Sequence, residues 1–166
     1  MKILQLCCFT NHWNKKHEVE SWDLRNKKNI FDIPDGYPAQ FDIVVAAPPC
    51  VQFTKANAHH WLKHPGLYLN IAMRCLELCQ QTGKYWMLEN PPGRIEDFMP
   101  SLVKHRTLTW HSPTTNKEYV IYSNFLLMQS GYRYNKNPEK KFVNMTVKQG
   151  DAWDKQLIID VENCIT

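Results

Sequence analysis

Short apolar runs separated by polar segments dominate the first third of the chain. Residues 2–8 alternate and then become continuously apolar, as a strand entering a core does. The strongest signal is the β-branched run at 41–47, which Pro48 and Pro49 end abruptly because proline cannot continue a ladder. On this pattern four segments are predicted as strands: 2–8, 19–22, 30–33 and 41–47.

Helical spacing enters in the middle of the chain. One apolar stripe predicts a helix over 67–80, which stops before Gly83, and its members are Leu69, Ala72, Met73, Leu76 and Cys79. The later segments predict strands at 84–88, 107–111 and 119–124, and helices at 95–105, where Pro100 interrupts the pattern, and at 154–164. Strands that alternate with helices predict an α/β fold with a mostly parallel central sheet flanked by helices.

Two of the predicted strands end in a proline pair beside a reactive side chain. Cys50 follows Pro48-Pro49, and Glu89 precedes Asn90-Pro91-Pro92. The carboxyl ends of parallel strands meet at one edge of a sheet, where such folds bind ligands. A thiol and a carboxylate released there make a candidate two-residue active site.

Each residue of this pair also has a structural explanation. Cys50 at a strand end near a helix start would sit in a positive field that favours the thiolate, or it could be a small half-buried hydrophobe. Glu89 after a buried strand must face a cleft or be paired, because burying a lone carboxylate is costly. The two together indicate chemistry more strongly than either does alone.

Composition and charge narrow the class of protein. The chain has 166 residues, 43% of them hydrophobic, which predicts one globular domain spanning 1–166. A net charge of +4 permits contact with a polyanion without requiring it. No apolar run approaches the roughly 20 residues of a membrane helix. Residues 1–6 are too short for a signal peptide, so we expect a cytoplasmic protein whose six cysteines are free thiols.

Histidine and cysteine spacing does not predict a metal site. Helical i, i+4 spacing separates His60 from His64 and likewise Cys75 from Cys79. For neither pair is a second pair of residues spaced to complete the four ligands of a zinc site. Cys75 and Cys79 are predicted as core residues. Cys7 and Cys8 are adjacent on a strand, so we expect them on opposite faces of the sheet.

Two cationic segments leave alternatives open. The run Arg25–Asn29 is either a solvated loop or a phosphate contact. After Cys50, aromatic rings are interleaved with cations, which suits base stacking or else a lid whose rings pack on the core. The residues of that second segment are Phe53, Lys55, His59, His60, Trp61 and Lys63.

The motifs together resemble the DNA cytosine-5 methyltransferases, especially their short phage-type members, over most of residues 1–124. The family's catalytic loop is similar to Pro48-Pro49-Cys50-Val51-Gln52-Phe53-Thr54, and its Glu-Asn signature to Glu89-Asn90-Pro91. Weaker similarities lie in Lys84-Tyr85-Trp86, Gly93 and the segment from Lys117 to Asn124.

The resemblance implies a Rossmann-like class I methyltransferase fold and a definite reaction. Cys50 would add to C6 of cytosine, Glu89 would hold or protonate N3, and Asn90 would position the loop. The substrate would be DNA with its target cytosine flipped out or already single-stranded. No separate target-recognition domain fits in 166 residues. Further substrate-binding residues implied are Pro49, Phe53, Thr54, Pro91 and Lys117.

S-adenosylmethionine is the cofactor that the resemblance implies. The residues that would bind it are Phe9, Thr10, Trp22, Asp23, Asp32 and Pro48. The chain departs from the family at the glycine-rich loop, where Phe9 and Asn11 replace glycines that let the backbone approach the cofactor. Gln5 stands where an acidic residue is expected, and the family's Gln-x-Arg segment has no counterpart.

These departures keep two other functions open. One is a degenerate relative that binds DNA or a protein partner as a regulatory or decoy module. The other is an enzyme with the same Cys/Glu chemistry that modifies C5 of a free pyrimidine nucleotide with another one-carbon donor. An amino-methyltransferase is disfavoured, because Gly93 follows Asn90-Pro91-Pro92 where those enzymes carry an aromatic ring.

Overall fold

A computed structural model describes residues 1–8, 13, 15–54, 65–112, 117–130 and 155–165. Its strands are β1 (Lys2–Leu6), β2 (Glu18–Trp22), β3 (Ile43–Ala46), β4 (Tyr85–Asn90), β5 (Arg106–His111) and β6 (Glu118–Ser123). Its α-helices are α1 (Pro65–Gln80), α2 (Ile95–Phe98) and α3 (Lys155–Ile165). Short 3-10 helices span Leu24–Asn26, Ile30–Asp32, Tyr37–Gln40 and Pro100–His105.

The six strands form one mixed sheet in the order β2-β1-β3-β4-β6-β5. The pairs among β2, β1, β3 and β4 are parallel, whereas β6 runs antiparallel to both of its neighbours. The α/β class and the flanking helices are therefore confirmed, and the expected mostly parallel sheet is corrected to a partly antiparallel one. Only residues 112–117 join β5 to β6, and so short a connection suits antiparallel pairing but not a parallel crossover.

Both faces of the sheet are buried, which explains the continuous apolar runs of its central strands. One face, with Leu4, Val44 and Leu88, shares a core cluster with α1. The opposite face, with Ile3, Val45 and Met87, shares a second cluster with α3. No helix in the described part of the chain is long and apolar enough to cross a membrane.

Two predicted elements differ in the structure. The strand expected at 30–33 is wrong, because Asn29 caps a 3-10 helix there by accepting a hydrogen bond from the Phe31 amide at 3.2 Å. The helix expected over 95–105 divides at Met99 into α2 and a 3-10 helix. Pro100 follows Met99 and has no amide hydrogen with which to continue the α-helical ladder.

A buried carboxylate attaches α3 to the sheet. Asp160 is 1% exposed and accepts hydrogen bonds from Trp110 Nε1 at 2.8 Å, Ser130 Oγ at 2.5 Å and Gln156 Nε2 at 3.0 Å. Trp110 belongs to β5 and is fully buried. The donors from three separate segments compensate for the burial of this acid.

We expect Asp160→Ala to lower the free energy of unfolding by about 3 kcal/mol, because it leaves the buried indole N–H of Trp110 without its acceptor. Chemical denaturation followed by tryptophan fluorescence measures the change. Asn163→Ala, at an exposed position of the same helix, is the control and should change stability by less than about 0.5 kcal/mol. Equal stability of the two variants would contradict the anchoring role of Asp160.

Candidate functional site

The candidate site lies at a switch point of the sheet topology. Strand β1 pairs with β2 on one side and with β3 on the other, so the strand order changes direction at β1. Crevices beyond the carboxyl ends of strands at such a point are the usual ligand sites of open α/β sheets. In this protein a cavity of about 610 Å³ opens there.

The segments that follow four parallel strands contribute to the cavity wall. Cys7 follows β1, residues 23–25 follow β2, residues 47–51 follow β3, and β4 with its loop contributes Glu89 and Pro91. Leu67 and Ile71 of α1 and Lys117 before β6 complete the enclosure. A volume of this size suits a small-molecule or nucleotide ligand.

Cys50 lies at the start of a tight turn. Its carbonyl accepts hydrogen bonds from the amides of Phe53 at 2.8 Å and Thr54 at 2.9 Å. The thiol is not in a disulfide, the residue is half-buried, and it lines the cavity. The prolines therefore end the strand as predicted, and the turn holds the cysteine at the cavity wall.

The loop that carries Cys50 is attached to the loop that follows β4. Asn90 is completely buried, and its Nδ2 donates a hydrogen bond to the Pro48 carbonyl at 3.2 Å. Thr54 and Gly93 form an antiparallel bridge, and the Arg94 amide donates to the Phe53 carbonyl at 2.7 Å. The two proline-ended motifs thus form one structural unit.

Gly93 makes this attachment possible. A Cβ atom at this position would lie 1.9 Å from the Phe53 carbonyl oxygen and 2.7 Å from its carbon. Both atoms belong to backbone, so a side chain cannot be accommodated by a rotamer change. Glycine is needed here for close approach of two backbones.

Glu89 combines burial with access to the cavity. The residue is only 4% exposed, yet it lines the cavity together with Cys50. Burial, followed by interaction with Cys7 and then with Glu89, raises the pKa of the nearby Cys8 thiol well above its usual value. A carboxyl group and a thiol therefore share the wall of one cavity.

The structure brings together about half of the predicted site residues. The predicted residues that line the cavity are Asp23, Pro48, Pro49, Cys50, Glu89, Pro91 and Lys117. Asn90 lies behind the wall, where it supports Pro48. Thr54 takes part in the bridge to Gly93. Phe9 and Thr10 lie outside the described residues, as do the aromatic and cationic side chains between 55 and 64.

Three predicted residues lie away from the cavity wall. Phe53 is fully buried and packs its ring against Phe98 at 5.9 Å, so the structure does not offer it for base stacking. Trp22 packs against Tyr37 and donates from Nε1 to Glu20 at 2.6 Å. Asp32 is exposed to solvent. The binding roles of these residues stay predictions from the resemblance.

Asp23 lines the cavity but also has a structural task. Its carboxylate caps the 3-10 helix at Leu24–Asn26 by accepting from the Arg25 amide at 2.8 Å, and it pairs with Arg25 Nε at 3.3 Å. A carboxylate has lone pairs for further donors beyond these two. Asp23 can thus accept from a ligand while it holds the turn.

Cations and exposed apolar side chains also line the cavity. Arg25, Lys28 and Lys117 line the cavity, with Lys28 paired to Glu20 at 3.5 Å and Lys117 placed 4.5 Å from the centre of the Tyr119 ring. Four exposed apolar residues that line the cavity were not predicted as site residues from the sequence: Leu24, Phe31, Val51 and Leu67. Local sequence gives no signal for them, because exposed apolar residues are common and only the fold collects these around one opening.

Metal ligation has no support in the described residues. Among them, no group of three or more histidine, cysteine, aspartate or glutamate side chains could hold a metal ion. His59, His60 and His64 lie outside the described ranges.

The chain matches no protein-family model, and no curated protein matches it.

We expect Gly93→Ala to separate the two loops and lower the free energy of unfolding by about 2–3 kcal/mol. The rate at which a thiol reagent modifies Cys50 should also change in this variant. The turn at Cys50 is attached to the second loop through Phe53 and Thr54, and the substitution disturbs that attachment. Gly66→Ala in the first turn of α1 is the matched control, since nothing lies within 4 Å of the added Cβ. If both variants keep wild-type stability and Cys50 reactivity, the close approach at Gly93 does not support the site.

Proposed function

We propose that this protein is a DNA (cytosine-5) methyltransferase that uses S-adenosylmethionine and a covalent intermediate on Cys50. The observation that supports the proposal best is that Cys50 and Glu89 line one cavity at the carboxyl ends of adjacent parallel strands. The sequence motifs around them are those in which the chain resembles this family.

The chemistry assigned to the chain begins with addition of the Cys50 thiolate to C6 of cytosine. The electron pair of the C5–C6 double bond then moves through the ring toward N3, where protonated Glu89 donates a proton. C5 becomes nucleophilic and is the atom that is alkylated. Loss of the C5 proton to a base, departure of the Cys50 thiolate and return of the N3 proton to Glu89 restore the aromatic ring. Burial of Glu89 strengthens its interaction with the ring, because water does not screen it.

The cavity suits the nucleoside part of the proposed cofactor. Asp23 offers a carboxylate for ribose hydroxyls, and Leu24, Ile30 and Phe31 offer apolar surface for a planar base. When bound, S-adenosylmethionine would supply an electrophilic methyl group.

A second candidate is a C5-modifying enzyme acting on a free pyrimidine nucleotide with another one-carbon donor. The three cations on the cavity wall, Arg25, Lys28 and Lys117, favour it, because they could bind the phosphate of a single nucleotide inside the cavity. The same cations also suit the backbone of a DNA strand. The cations therefore suit a DNA strand and a single nucleotide equally, and covalent trapping on each substrate distinguishes the two functions.

Calorimetric titration with S-adenosylmethionine and with S-adenosylhomocysteine tests the cofactor. We expect micromolar binding that Asp23→Ala weakens about tenfold, equivalent to about 1.4 kcal/mol. Asp32→Ala, an exposed position that does not line the cavity, should bind like the wild type. Absence of binding with and without DNA would overturn the methyltransferase proposal. It would favour another donor or a degenerate protein that binds DNA or a protein partner.

Covalent trapping on single-stranded and duplex DNA containing 5-fluorocytosine, in the presence of S-adenosylmethionine, tests the nucleophile, because fluorine on an alkylated C5 cannot leave as a proton does. We expect a stable adduct with the wild type and none with Cys50→Ser, whereas Cys164→Ser on α3 should be trapped normally. Glu89→Gln should slow trapping by about 10²–10⁴-fold, because it removes the acid at N3. An adduct on 5-fluoro-dCMP but not on DNA would replace the first candidate with the second, and an adduct that persists in Cys50→Ser would refute both.

A further inference from the structure

Four of the six cysteines cluster where β1 ends against α1. They are Cys7, Cys8, Cys75 and Cys79. Cys7 is half-buried and lines the cavity, whereas the other three are buried. The cluster thus has one member that small molecules entering the cavity can reach.

The thiols of Cys7 and Cys75 are in contact. Their Sγ atoms lie 3.9 Å apart, although 68 positions separate the two residues in sequence. A disulfide bond is about 2.05 Å long, so the sulfurs need to approach by roughly 1.9 Å. Rotation about χ1 of one or both residues moves a sulfur over such a distance.

Backbone conformation at Cys7 creates this contact. The parallel strand β1 ends at Leu6, and Cys7 has φ 55°, in the left-handed region that a residue with a Cβ rarely adopts. Its amide donates to the Trp22 carbonyl at 2.9 Å, which holds the conformation. Cys7 therefore packs on the α1 side of the sheet, with Leu6, while Cys8 packs on the opposite side. The two cysteines lie on opposite faces as expected, but the left-handed turn after β1 and not strand alternation places them there.

The neighbouring thiols have other contacts. Cys8 Sγ donates to the carbonyls of Leu6 at 3.4 Å and Val45 at 3.7 Å, and Cys79 Sγ to the carbonyl of Met87 at 3.9 Å. Burial raises the pKa of Cys8 and of Cys79 well above the usual value for a thiol. The hydrogen bond to Cys7, followed by burial, raises the pKa of Cys75 in the same direction. Of these four thiols, only Cys7 lines the cavity, so within the cluster Cys7 is the thiol that an oxidant entering the cavity reaches.

We propose that Cys7 and Cys75 form a redox-active dithiol that hydrogen peroxide oxidises to an intramolecular disulfide. The Cys7 sulfur attacks one peroxide oxygen, the O–O bond breaks, and Cys7 becomes a sulfenic acid as one water is released. The Cys75 sulfur then attacks the Cys7 sulfur, the S–O bond breaks, and a second water leaves with the Cys75 proton. Two thiols are oxidised to one disulfide, and one peroxide is reduced to two waters.

Oxidation at this place would alter the cavity. The disulfide would join the end of β1 to the middle of α1 and draw the Cys7 sulfur away from the cavity wall. This modification site does not depend on the proposed methyl transfer, and Cys50 takes no part in it.

Peptide mapping of the full chain after peroxide treatment tests the proposal. After the peroxide is removed, the protein is unfolded in denaturant, and free thiols are alkylated with one reagent before reduction and with an isotopically distinct reagent afterwards. We expect the wild type and Cys50→Ser to yield a peptide pair cross-linked through Cys7 and Cys75, with Cys8 and Cys79 labelled before reduction. A Cys7–Cys50 cross-link, or Cys7 and Cys75 both fully labelled before reduction, would overturn the proposal.

Variants separate the two steps. In Cys75→Ala the sulfenic acid on Cys7 has no partner, so we expect at least a tenfold increase in its capture by dimedone. Cys79→Ala, one helical turn further along α1, is the matched control and should form the cross-link as the wild type does. Thermal unfolding confirms that both variants fold. If folded Cys75→Ala shows no more dimedone adduct on Cys7 than the wild type, Cys75 does not resolve the oxidised Cys7.

Discussion

Attachment of the Cys50 loop to the loop after β4 is the constraint on which the candidate site depends. Ala46, the last residue of β3, pairs with Leu88, so β4 continues for two residues beyond the end of its neighbour. Glu89 and Asn90 therefore stand beside the departing Pro48 segment. Since successive residues of a strand point to opposite faces, Asn90 can fasten the loop while Glu89 reaches the cavity. One register positions both side chains.

The rest of the sheet supports that register. Apolar side chains cover both faces of β1, β3 and β4, and a shift by one residue would exchange the side chains of the two cores. On one face α1 packs against the parallel strands and also contributes Leu67 and Ile71 to the cavity. On the other face α3 is joined to β5 through Asp160 and Trp110. Stability and site geometry thus rest on the same packing.

The polar groups of the cavity come from two kinds of segment. Glu89 belongs to the end of β4 and Cys50 to the turn after β3, which is attached to the loop after β4, whereas Arg25 lies in the 3-10 helix after β2 and Lys28 just beyond it. Both cations are about half exposed. A group on an anchored strand end or turn can be held in reactive geometry, while an exposed cation is suited to attracting and orienting an anionic ligand. Cys7 adds a second thiol to the wall, in contact with Cys75 of α1.

Local sequence determined the strands, the main helix and the two chemical motifs, because these depend on periodicity and on proline, which act over a few residues. The apolar run ending at Pro48 and the Glu89-Asn90-Pro91 segment lie at strand ends, as predicted. The 3-10 helix at Ile30–Asp32 was missed, since capping by Asn29 overrides the β-branched signal. The insertion of β6 between β4 and β5, the burial of Phe53 and the collection of seven predicted residues around one cavity were decided by tertiary structure alone. Each depends on contacts between segments distant in sequence, whose geometry no local pattern contains.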